Sequence, residues 1–95
     1  MSAATLAQRL RDACCCPLGA AMLGARPVSV WAYRVRSPEV SRAAPLLNIS
    51  TPVAQRIARE WDTGDGPHAV TFALRAGLGE RIEAGLARLE LDVPR

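Results

Sequence analysis

Ninety-five residues, 49% hydrophobic and 22% charged, make one folded domain over 1–95, too apolar for intrinsic disorder and too short for two separate cores. No apolar run is long enough to cross a bilayer. The net charge of +3 rests on twelve arginines and no lysine, which suits contacts to carboxylates, phosphates and base edges.

Ser2 caps a first helix over about 3–14, with Leu6, Leu10, Ala13 and Cys14 on its inward face. Gln8 and Asp12 interrupt the apolar character of this segment, so a signal peptide is not expected. Pro17 ends or redirects the helix. Residues 18–24, LGAAMLG, form a second short apolar helix, buried on most sides and stopped by Gly24 and Pro27. The three adjacent cysteines, Cys14, Cys15 and Cys16, read as buried thiols in a reducing cytoplasm. They splay in different directions, so they do not make a zinc site with His68.

Residues 28–36, VSVWAYRVR, are the run richest in β-branched and aromatic side chains, which predicts a half-buried strand with Arg34 and Arg36 at one end. Ser37 and Pro38 open the next helix as N-cap and first turn. Val40, Ala43, Ala44 and Leu47 give its inward face, and Asn48 is a left-handed residue after it. Ile49 plugs the turn. Ser50 or Thr51 caps a further helix over 52–61, whose Val53, Ala54, Ile57 and Trp61 point inward while Gln55, Arg56 and Arg59 face out. Pro45 opposes a continuous first helix, at about 3 kcal/mol in a helix interior.

The spacing of Ala44, Asn48, Ile49, Ala54 and Ile57 resembles the helix-turn-helix of bacterial regulators, over about a fifth of the chain. That resemblance implies a second helix seated in the major groove of DNA. Thr51, Gln55, Arg56 and Arg59 would then approach bases or phosphates, and Arg34, Arg36 and Arg42 the backbone. Charge distribution agrees: residues 27–60 hold five arginines against two glutamates, whereas residues 61–95 hold four against six acids. The alternative is a small protein-binding accessory or inhibitor protein, whose basic centre meets an acidic partner and which needs no recognition helix.

A turn-rich TGDGP at 63–67 precedes HAVTFAL at 68–74, a second candidate strand. With 28–36 it predicts an α+β fold: mostly helical, two short strands and a helix-turn-helix-like centre. The final helix, over 78–91, has the clearest period, with Leu78, Ile82, Leu86 and Leu89 on one face as a homodimer interface. Gly85 interrupts that helix and permits close packing. His68 is a lone loop histidine. Neither TGDGP nor AGLGE completes a phosphate or dinucleotide fingerprint, and no catalytic set is assembled. The reading is non-enzymatic, with no cofactor and no metal.

Overall fold

The computed structural model describes residues 2–25 and 40–92. Regular structure among them is helical throughout: α1 (Ala3–Asp12), α2 (Pro17–Ala25), α3 (Val40–Leu46), α4 (Thr51–Asp62), α5 (Gly66–Arg75) and α6 (Gly79–Asp92). This overturns the α+β expectation. The segment 68–74 lies inside α5, and the candidate strand 28–36, with Arg34 and Arg36, lies outside the described residues. Segment 68–74 is helical because its burial repeats at helical spacing, through Gly66, Ala69, Val70 and Ala73. Asp65 caps it by accepting the His68 N–H, and a proline stands in the first turn. Caps and a 3.6-residue burial period outweigh the β-branched and aromatic preference of Val70, Thr71 and Phe72.

The core is built around α2. Every residue from Pro17 to Leu23 is buried, as expected of a helix apolar on all sides. Its main partner is α6, and α3, α4 and α5 also pack on it. Two glycines permit that contact. A Cβ at Gly24 would stand 2.0 Å from the Arg81 carbonyl oxygen, and one at Gly85 would stand 1.9 Å from that of Ala20. Backbone therefore rests on backbone at two points of the crossing. Leu78, Ile82, Leu86 and Leu89 are all fully buried in this core. The stripe assigned to a second copy is covered by the chain's own helices.

Four helices end in one motif. A left-handed residue follows the last turn at Cys14 (φ 55), Asn48 (φ 56), Gly64 (φ 93) and Gly77 (φ 83). At each, the next N–H reaches five residues back and the left-handed residue's own N–H three back: Cys15 to Leu10 and Cys14 to Arg11, Ile49 to Ala44 and Asn48 to Pro45, Asp65 to Glu60 and Gly64 to Trp61, Leu78 to Ala73 and Gly77 to Leu74. This paired bonding satisfies carbonyls that a helix end otherwise leaves open. Pro45 is accommodated because it is exposed in the last turn of a seven-residue helix, where little helix precedes it.

Candidate functional site

Around the α3–α4 corner, local chemistry follows the sequence closely. Asn48 is left-handed, and the Ser50 hydroxyl accepts the Val53 N–H at 3.4 Å. Ala43, Ala44, Leu47, Ala54 and Ile57 are buried, with Val40, Ile49, Val53 and Trp61 partly so. Thr51, Gln55, Arg56 and Arg59 are exposed on α4, and Arg42 is exposed on α3. The Arg56 guanidinium lies 4.1 Å from the centre of the Phe72 ring on α5, a cation–π contact that ties it to the next helix. Glu60 and Asp62 follow Arg59 on α4.

His68 stands in the first turn of α5 rather than in a loop. Its Nδ1 is 3.4 Å from a Glu60 carboxylate oxygen and 3.6 Å from one of Asp65, and its ring is 4.9 Å from that of Phe72. The three donor groups lie within 4.8 Å of one another, an arrangement that a protonated imidazole or a divalent cation would satisfy. All are at least a quarter exposed, so water competes for either role.

The start of α6 meets the ends of α3 and α5, each of which carries an exposed leucine. Leu74, 39% exposed, covers Gly79, its Cδ2 lying 3.0 Å from where a Cβ would stand. Arg81 donates to the Leu47 carbonyl at 3.0 Å, which fixes the end of α3 and so Leu46, 43% exposed. Arg42 and Arg75 are exposed on the same helices. Sequence periodicity missed this end of the molecule because both leucines sit at helix termini, outside any repeating face.

Comparison with protein-family models, with curated proteins and with solved structures found no significant match to this chain.

The cysteines occupy the α1–α2 corner and differ in exposure: Cys14 exposed, Cys15 buried, Cys16 between. Cys14 leaves the inward face assigned to it because the chain turns left-handed there. The corner adjoins α4, where the Arg11 guanidinium sits 4.4 Å from the centre of the Trp61 ring. On the far side of α1, Arg9 pairs with Glu90 of α6, its Nε donating at 3.2 Å. That hydrogen bond holds the Glu90 carboxyl below the usual carboxylate range and the Arg9 guanidinium above its ordinary value, against slight desolvation. No helix among the described residues is long and apolar enough to cross a membrane.

Proposed function

We propose that this chain is a small non-enzymatic protein-binding accessory protein that docks through the end of the molecule where α6 begins. The supporting observation is the exposure of Leu46 and Leu74 at helix ends, Leu74 packed against Gly79 and the residue after Leu46 bonded to Arg81. Exposed Arg42 and Arg75 accompany them. Exposed leucines accompanied by arginines suit a partner surface of apolar and acidic side chains. The α3–α4 corner gives DNA binding less support than its sequence resemblance promised. The same turn closes α1, α4 and α5, so it is this chain's general way of turning between helices. Arg56, the side chain expected at a base edge, leans on Phe72.

The test compares the wild-type chain with a Leu46→Asp, Leu74→Asp double variant in co-purification from the native cell, alongside duplex titrations at two salt concentrations. A stoichiometric protein partner lost in the double variant is the expected result. Duplex binding that falls steeply with salt and weakens in Gln55→Ala and Arg59→Ala, with no protein partner, would overturn it.

A further inference from the structure

A cavity lies at the α1–α2 corner. It has a volume of about 220 Å³ and is lined by Arg11, Cys14, Cys15, Cys16, Trp61 and Asp62. Three thiols, one cation, one anion and an aromatic face therefore share one opening. The thiols are not equivalent. Cys15 is buried, with its thiol 3.4 Å from the Cys16 carbonyl. Cys14 is exposed. Cys16 immediately precedes α2, and its sulfur accepts the Gly19 N–H at 3.3 Å. A helix N-terminus and an N–H directed at sulfur both favour the thiolate, the form that attacks.

We propose that this cavity is a thiol-exchange site for zwitterionic low-molecular-weight disulfides, with Cys16 as the attacking sulfur. Stacking on Trp61 uses the face of the Arg11 guanidinium and leaves its in-plane N–H groups to hold a carboxylate. Asp62 meets the ammonium group. The Cys16 thiol gives its proton to water, and the thiolate attacks one sulfur of the small disulfide. A new S–S bond forms at Cys16 as the old one breaks, and the other half leaves as a thiolate that takes up a proton. One disulfide replaces another, so the small disulfide is the only oxidant needed. Cys14, at the rim, is exposed but lacks the helix N–H that marks Cys16.

Oxidised glutathione is the probe, with acid quenching and fragment-ion mapping of the first adduct. Cys16 in the folded chain is expected to react about tenfold faster than in the urea-unfolded chain. The folded chain should also favour glutathione disulfide over the neutral hydroxyethyl disulfide, relative to the unfolded chain. Arg11→Gln should remove that preference, slowing the reaction with glutathione disulfide more than that with the neutral probe. Cys16→Ser keeps a cap at α2 and should leave only the slow rate of the unfolded chain. A first adduct at Cys14 or Cys15, or a folded rate no higher than the unfolded one, would overturn the proposal. So would a folded wild-type chain whose preference between the two probes equals that of the unfolded chain, a measurement that needs no variant to fold.

Discussion

Both the α1–α2 and the α3–α4 corner turn the chain with a left-handed residue, an inward residue and a side-chain cap. In one the three are Cys14, Cys15 and Cys16. In the other they are Asn48, Ile49 and Ser50. The hydrogen bonds correspond one to one: Cys14 to Arg11 and Asn48 to Pro45, Cys15 to Leu10 and Ile49 to Ala44. The cap bonds are Gly19 N–H to the Cys16 sulfur and Val53 N–H to the Ser50 oxygen. Asparagine tolerates the left-handed region and serine is a strong N-cap. Cysteine is favoured at neither position. The α1–α2 corner thus gives up local stability at two places and gains thiols in a cavity. It can do so because α2 is held by its packing on α6, not by its cap.

The largest expected effect tests that last point. Gly85→Ala would place a methyl group within the Ala20 carbonyl. Elsewhere in a helix the change would stabilise by about 1 kcal/mol; here overpacking should destabilise by about 3 kcal/mol or more. Urea denaturation measures the sum, and amide exchange its location. Protection should fall first in α1 and α2 while the α3–α4 corner keeps its own. Uniform loss would mean the two corners stand or fall together.

The left-handed positions come next. Cys14→Gly should stabilise by about 1 kcal/mol, since a side chain with φ near +55 is strained and glycine is not. Asn48→Ala should destabilise by about 1 kcal/mol for the converse reason. Thermal denaturation of both variants reads this directly. If Cys14→Gly is destabilising, the Cys14 side chain makes a contact worth more than its strain, and the two corners are less alike than their backbones.

How far these features were legible from sequence follows from their range. Ser2 and Asn48 were read correctly, and Ser50 as one of two candidate caps with Thr51, because caps and left-handed residues act over three or four neighbours. The period of Leu78, Ile82, Leu86 and Leu89 gave α6 its helix, yet not its partner. An apolar stripe states that it is covered, not by what, and α2 rather than a second copy covers it. Gly85 was read as a close-packing position, but its contact with Ala20 spans most of the chain. Segment 68–74 was misread because its β-branched and aromatic residues were weighed above the Asp65 cap. Cys14 is not a residue type that announces a left-handed turn. The cavity required Arg11 and Trp61 to meet, fifty residues apart.

Exchanging the caps gives a smaller, reciprocal effect. Cys16→Ser should stabilise by about 0.5–1 kcal/mol, and Ser50→Cys should destabilise by a similar amount, because oxygen is the better acceptor for the first-turn N–H groups. Equilibrium denaturation under reducing conditions checks both. Opposite signs would show that the corners differ in the cap atom and not in the quality of the turn. Equal signs would locate the difference in the surroundings of Cys16.

The smallest expected effect concerns the tie that holds α1, and with it the thiol corner, to α6. Arg9 lowers the pKa of Glu90 through their hydrogen bond, so the folded chain binds a proton there less readily than the unfolded chain. The resulting stabilisation is complete above the unfolded carboxyl value, near 4.3, and is lost as pH falls through the lower folded value. The Glu90 side chain is 47% exposed, so screening limits the gain to about 0.5 kcal/mol. Glu90→Gln should accordingly reduce stability by that amount at pH 7 and by almost nothing near pH 2, and high salt should narrow the gap. Urea midpoints of both proteins at the two pH values supply the measurement. A constant difference across pH would make the Glu90 contribution one of packing. The comparison between corners would then turn on backbone and thiol chemistry, with no electrostatic strap on the α1 side.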